Sequence, residues 1–473
     1  MNGTVGSRRD FITGAAWMGA VAVAAGCVDG RCLCGSREGG PMYGFRVAPM
    51  RRIRIGFVGV GGRGYGAVRR LALIPGCEIT AVCDINAERV ARVRKFLAEQ
   101  GKPAAKEFGR TADDWKRLCD LDDVDVVYSC TPREMHGEVN VYGLDAGKHV
   151  LQEVPGVFTV EEAWATVEAA ERNRRHCMML ENCCYGEEEL LAFNLVKQGV
   201  LGEIMQAECA YIHDQRRFQY NPGDGVFWRI DRHLKHHGNY YPTHGMVPMT
   251  KAMDVNRGDR FEYLVSMETA SRAFETYAQS AFPASDRRYH WKMVRGDVNN
   301  ILIRTAKGKC VFVEHDVSSP RPYSRGDLLV GTKGTFRAYP SLMLAFEDKL
   351  GDGKAHQYFS AERLQEVREK YMHPLWREAG KAAREIEAKI GGHGGMDFVM
   401  DLRWVYCLQN GLPLDTNVYD LATWSSVVEL SERSVNARSA AVDFPDFTRG
   451  AWKTAKPFEV VTVDVAKMGF KCA

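Results

Sequence analysis

The chain has 473 residues, 45% of them hydrophobic and 10% aromatic, with a formal charge of only +3. That is material for two or three domains around a large core. The near-balance of charge gives no electrostatic case for a nucleic-acid partner. The 14 cysteines show no zinc pattern: Cys32 and Cys34, and the adjacent Cys183 and Cys184, lack partners at ligand spacing. No metal is expected, and most thiols are expected to be buried and free.

At the N-terminus, Ser7-Arg8-Arg9-Asp10-Phe11-Ile12 precedes a run without charge that ends at Cys27. This reads as a twin-arginine export signal over 1–27, too short for a comfortable membrane span. The expected destination is periplasmic or membrane-anchored. Ala24-Ala25-Gly26-Cys27 leaves a lipid anchor at Cys27 open. Residues 28–50 are rich in Gly, Pro and Arg and read as a linker.

From 51 to 183 strand-like and helical patterns alternate. Apolar runs at 53–60, 78–83, 124–130, 149–153 and 177–181 predict strands. Helical stretches lie between them, the first from Tyr65 to Ile74 and the second from Asn86 to Gly101. This is the signature of a doubly wound parallel sheet of Rossmann type. The string Gly59-Val60-Gly61-Gly62-Arg63-Gly64 follows the first strand and opens a helix, and Asp84 ends the second strand 20 residues later. Gly59 permits the turn, Gly61 lets backbone approach a pyrophosphate, and Gly64 lets helix and strand pack closely. Free N–H groups at the helix start suit phosphate. Asp84 suits a ribose 2′-hydroxyl and would repel a 2′-phosphate, which favours NAD over NADP.

From 184 to 473 a second, α+β domain with a large, mainly antiparallel sheet is expected. A helix runs from Glu187 to Val200 and a strand from Met205 to Asp214. A loop from Gln215 to Tyr240 holds Arg229 and the cluster His233, His236 and His237, which has too few carboxylates nearby for a metal site. Strands are expected near 261–269, 298–305, 309–317, 326–331 and 334–348, and helices over 361–390 and 396–409. The Gly391–Gly395 run reads as a turn packed under the site.

Six strings carry a family resemblance: Thr131-Pro132-Arg133-Glu134-Met135-His136, Glu153-Val154-Pro155, Glu181 to Tyr185, Gly238 to Gly245, Ser318 to Arg325 and Gly391 to Asp397. Together they resemble glycoside hydrolase family 109, NAD-dependent α-N-acetylgalactosaminidases within the superfamily of glucose–fructose oxidoreductase and inositol dehydrogenase. Dehydrogenases of that superfamily carry a proton-transferring Lys where Val154 stands, and valine cannot exchange a proton. The family commonly has Trp near Glu134 and His136, where this chain has Arg133 and Met135. Met246-Val247-Pro248 replaces a usual Leu-Gly-Pro.

The resemblance implies a redox-neutral, retaining hydrolysis. NAD takes hydride from C3 of the sugar, the C2 proton becomes acidic, the aglycone leaves C1, water adds, and hydride returns. It implies His244, Tyr185, Tyr241 and Tyr323 as the catalytic group. Arg133, His136, Glu153, Val154, Asn182 and Tyr241 would join Gly59, Gly61, Gly62, Arg63, Gly64 and Asp84 around NAD. Tyr211, Arg229, Tyr241, Pro242, Thr243, His244 and Tyr323 would hold a terminal N-acetylgalactosamine of a glycan. Imidazole titrates near neutrality, which suits His244 to proton transfer. Two alternatives stay open: an exported sugar oxidoreductase with a tightly bound cofactor, and a non-catalytic sugar-binding protein that keeps NAD. A homo-oligomer is also open. Export itself favours a cofactor that is bound once and restored in each turnover.

Overall fold

The computed structural model describes residues 41–223, 226–347 and 354–469. The expected signal, Cys27, and Cys32 and Cys34 lie outside the described residues. Of the expected linker, residues from 41 on lie against the body. Met42 is buried and its N–H donates to the Tyr419 hydroxyl, while the Met50 N–H donates to the Leu408 carbonyl.

Six strands build the first sheet: β1 (Ile53–Val58), β2 (Cys77–Cys83), β3 (Lys106–Phe108), β4 (Val126–Ser129), β5 (His149–Gln152) and β6 (Cys177–Met179). Their order is β3-β2-β1-β4-β5-β6, and every pairing is parallel. Ile53, Ile55, Phe57, Val126, Val127, Val150 and Leu151 are fully buried. Helices cover both faces of such a sheet, which is why its strands read as continuous apolar runs. The strand order reverses between β1 and β4, where α/β folds place a ligand at the carboxyl ends.

Eight strands build the second sheet: β7 (Ile204–Ile212), β8 (Phe261–Glu268), β9 (Val298–Thr305), β10 (Cys310–Asp316), β11 (Leu328–Gly331), β12 (Gly334–Arg337), β13 (Met343–Phe346) and β14 (Val442–Asp443). Their order is β13-β12-β11-β7-β10-β9-β8-β14, antiparallel except for β7 beside β10. In β9, Ile301, Ile303 and Thr305 are buried, while Leu302 and Arg304 between them are exposed. One face of this sheet is therefore packed and the other is not.

Three of the expected elements are built differently. The strand expected over 334–348 is two strands, because Pro340 cannot donate to a ladder. The helix expected over 361–390 breaks at Met372–His373, since Pro374 disfavours helical backbone before it and opens a new helix, Pro374–Ile390. The expected loop 215–240 holds two short helices, Arg216–Tyr220 and Trp228–Lys235.

The helix Val418–Asn436 joins the two sheets, touching β6 and β8 together. Its Asn417 cap accepts from the N–H groups of Tyr419 and Asp420. The helix Met396–Asn410 lies against β1 and the helix Gly62–Leu71. No helix among the described residues is long and apolar enough to cross a membrane. All ten described cysteines are free, seven of them buried.

Candidate functional site

The Gly59–Gly64 loop has the shape that dinucleotide binding needs. Gly59 sits at φ +87°, and a Cβ there would strike the Cys130 carbonyl. A Cβ at Gly64 would strike the Gly59 carbonyl oxygen, so helix and strand touch only because both residues are glycine. A Cβ at Gly62 would meet nothing within 4 Å. The backbone there is bare, and the helix Gly62–Leu71 starts with no side-chain cap, leaving its first N–H groups for a ligand. Asp84 ends β2 beside the loop and is anchored by the N–H groups of Val60 and Asn86, both at 2.9 Å. These residues fit a dinucleotide.

A cleft of about 310 Å³ opens at the carboxyl ends of β4, β5 and β6 and faces the second sheet. On its cofactor side the charges interlock. Arg63 pairs with Glu153 at 2.5 Å and with Asp397 at 2.8 Å. Asp397 also accepts from Asn182 at 2.7 Å and contacts His393 at 2.8 Å. Behind it, Arg70 bonds Asp401 at 2.7 Å. Burial would raise the Asp397 carboxyl, but Arg63, His393 and Arg70 outweigh it and hold it well below the ordinary value. Burial wins at Glu153, which is raised despite Arg63.

His136 is a brace. Its ring lies between the carbonyls of Pro155 at 2.6 Å and Thr131 at 3.2 Å, and burial lowers it to about 4. A neutral ring donates from one nitrogen only; the shorter contact makes Nδ1–H the donor to the Pro155 carbonyl, and Nε2 only lies beside the Thr131 carbonyl. Val154 lines the cleft beside Glu153 and offers no polar atom.

The central pair is His244 and Glu181. Pro242 precedes the helix Thr243–Ala252, which places His244 in its first turn. Glu181 follows β6. His244 Nδ1 lies 2.6 Å from Glu181 Oε1, with the carboxylate almost fully buried. Burial would raise Glu181, but His244 outweighs it and keeps the carboxyl ionised. An ionised carboxylate only accepts, so Nδ1 carries the proton of this bond and Nε2 is left for the cleft. The buried Thr243 hydroxyl beside the pair also helps to lower the Glu181 carboxyl. Cys183 brings its sulfur within 4.8 Å of the His244 and Glu181 ligand atoms. Burial raises that thiol well above its ordinary value.

Aromatic rings surround the pair. The Tyr241 ring is 4.8 Å from His244 and 4.9 Å from Tyr211, and Tyr323 lies 6.2 Å from Tyr211. The Tyr323 hydroxyl accepts from Arg325, which Glu189 and Asp327 hold in place. Burial raises the phenols of Tyr211, Tyr241 and Tyr323, so all three are donors at neutral pH. Arg133 stacks over Tyr241 at 4.2 Å, and Arg229 over Trp228 at 3.9 Å.

Tyr185 does not join this group, contrary to expectation. It is buried, and its hydroxyl donates to Asp415 at 3.1 Å. The short 3-10 turn Asn182–Tyr185 presents Asn182 and Cys183 to the cleft, and Cys184 and Tyr185 to a second cavity of about 830 Å³. That cavity is larger, but it lacks the His–Glu pair and the glycine loop. The histidine cluster also disperses: His233 meets the Tyr240 hydroxyl, His236 meets Glu432 and His237 meets Glu268.

Sequence reasoning did not assign Glu181, Asp397, His393 or Arg325 a role. Glu181 ends β6 as Glu153 ends β5, and that shared strand-end position was the available signal. Asp397 stands where a glycine-rich turn opens a helix.

Residues 185–454 match the family model described as "Glycosyl hydrolase 109, C-terminal domain". Residues 53–181 match "Oxidoreductase family, NAD-binding Rossmann fold". A "Glycosyl hydrolase family 109 protein" of Shewanella sp. (strain W3-18-1) is 44% identical over 431 residues, covering 90% of this chain and 91% of the relative. A "Glycosyl hydrolase family 109 protein 2" of Shewanella sp. (strain ANA-3) is 42% identical over 459 residues, 96% of this chain and 99% of the relative. Among solved structures, levoglucosan dehydrogenase in complex with NADH and L-sorbose aligns with a TM-score of 0.63 at 18% identity, over 84% of this chain and all of that one. That likeness concerns the fold.

Proposed function

The chain belongs to glycosyl hydrolase family 109, and from that premise we propose that it removes terminal α-N-acetylgalactosamine from glycans with retention of configuration. Its Rossmann half is NAD-binding. When bound, NAD supplies reversible oxidation at C3 of the sugar, which makes the C2 hydrogen acidic and lets the C1 substituent leave. Gly59–Gly64 and Asp84 would hold the dinucleotide, with Arg63, Glu153 and Asn182 fixing the wall beside it.

The observation that carries this reading is the His244–Glu181 pair opposite Val154. Glu181 holds the imidazole through Nδ1 and leaves Nε2 for the cleft. That nitrogen takes the proton from C2 of the sugar, and Glu181 stabilises the imidazolium formed. The same nitrogen then returns a proton as water adds. The Tyr241 and Tyr323 phenols are protonated at neutral pH, hydrogen-bond sugar oxygens and support the departing oxygen. Pro242 and Thr243 set the backbone that positions His244, and Tyr211 packs against its ring. With valine at 154, no Lys competes for the proton.

Export through Arg8-Arg9, with the cofactor already aboard, agrees with a reaction that leaves NAD unchanged. The test is hydrolysis of an aryl α-N-acetylgalactosaminide in D₂O without added NAD. Product bearing deuterium at C2 is expected. Cleavage with hydrogen retained at C2 would overturn the mechanism.

A further inference from the structure

The cleft holds two guanidinium groups that no anion answers. Arg133 is 7% exposed. Its guanidinium lies 4.2 Å from the Tyr241 ring, 5.1 Å from Trp228 and 5.2 Å from Tyr240. Its buried Nη1 has no hydrogen-bond partner. Arg229 stacks on Trp228 at 3.9 Å and on Phe218 at 4.9 Å. Both line the cleft, and both touch the same tryptophan. Neither makes an ion pair among the described residues. The two carboxylates of the cleft are already taken, Glu153 by Arg63 and Glu181 by His244.

Bringing two like charges together in a half-dry pocket is costly unless something compensates. Burial, and after it the neighbouring Arg133, lowers Arg229 to about 10, which still leaves it charged at neutral pH. The rings supply cation–π attraction and hold the guanidinium planes, but they add no negative charge. A planar fork held this way, with its N–H groups unspent, suits a sulfate or a carboxylate.

We propose that the substrate carries an anionic substituent, a sulfate ester or a carboxylate, on the N-acetylgalactosamine or on the residue next to it, and that Arg133 and Arg229 select it. This rests on the glycosidase reading and narrows its substrate class. NAD does not answer these arginines. Its phosphates belong at the bare backbone of Gly59–Gly64, whereas Arg133 lies over Tyr241.

The test is calorimetric binding to NAD-loaded protein, so it does not require turnover. The three ligands are N-acetylgalactosamine, its 6-sulfate, and a disaccharide of N-acetylgalactosamine with glucuronate. One anionic ligand should bind about tenfold or more tighter than the neutral sugar. Preference for the sulfate places the charge on the sugar itself, and preference for the glucuronate places it next door. Arg133→Met and Arg133→Trp should abolish that preference, and Arg133→Lys should keep part of it. Arg229→Met is the second variant if the first fails to fold. Equal affinity for all three ligands overturns the proposal. So does a preference that survives Arg133→Met while bound NAD is lost, which would make Arg133 a cofactor residue. A preference that is present without any cleavage of an aryl α-N-acetylgalactosaminide upholds charge recognition and sinks only the reaction.

Discussion

The two walls of the cleft treat charge in opposite ways. On the cofactor side, Arg63, Glu153, Asp397, Arg70 and Asp401 form a lattice in which each charge meets its opposite. On the sugar side, Arg133 and Arg229 rest on rings and meet none. A charge that is already answered holds its neighbours in position, and one that is not responds to what arrives. His244 and Glu181 stand between these cases, with one nitrogen fixed and the other exposed to the cleft.

The sharpest way to break this contrast is His244→Ala. It should lower kcat by roughly 10²–10⁴-fold, the usual span for an acid–base group. NAD should stay bound, because the cofactor wall is untouched. Steady-state kinetics with NAD content measured by mass spectrometry checks this. A raised KM at near-normal kcat would make His244 a binding group alone.

Next comes the lattice. Asp397→Ala leaves Arg63 and Arg70 without their shared partner, and should cost about 3–5 kcal/mol in denaturant unfolding. An unchanged midpoint would mean that the lattice supports nothing.

Acid sharpens the picture further. His136 and His149 are lowered by burial from 6.5 to about 4, so both are neutral in the fold and charged in the unfolded chain between those values. Stability is therefore expected to fall as pH drops from about 6.5 toward 4. Asp397 acts in the same direction at lower pH. Its folded value is depressed, so its contribution is complete above the ordinary 3.8 and disappears only below it. Thermal melts across this range should show a histidine-driven decline first and a carboxylate-driven one later. A flat Tm down to pH 4 would contradict the burial of these rings.

The smallest effect belongs to Tyr185→Phe. Losing the bond to Asp415 should cost about 1 kcal/mol of stability and leave kcat essentially unchanged. A large loss of kcat would return Tyr185 to the catalytic group.

Much of the first sheet was legible because strands buried on both faces read as apolar runs. β3 was not, being three half-exposed residues at the sheet edge. The helix Val418–Asn436 was also missed. It buries Asp420, Ser425, Ser426 and Ser431 along with its apolar residues, so its polarity carries no clean helical period. In the site, His244, Tyr241, Tyr211 and Tyr323 came from motifs and do converge. Their partners did not, because His244 meets Glu181 across 63 positions and Arg63 meets Asp397 across 334. No local pattern encodes such distances. Tyr185 shows the converse: it lies only two residues after Cys183, yet a tight turn sends it to the other cavity.

The free cysteines have a practical consequence. Burial pushes the thiols of Cys83 and Cys119 up to about 12, and raises those of Cys177, Cys184 and Cys407 as well. Only the thiolate attacks an alkylating reagent or a disulfide. In the folded state these sulfurs are chemically silent, and each becomes reactive only when the chain around it opens. The rate at which iodoacetamide modifies each one therefore clocks the opening of its own neighbourhood, with Cys83 and Cys119 reporting on the cofactor half and Cys407 on the helix Met396–Asn410 packed against it.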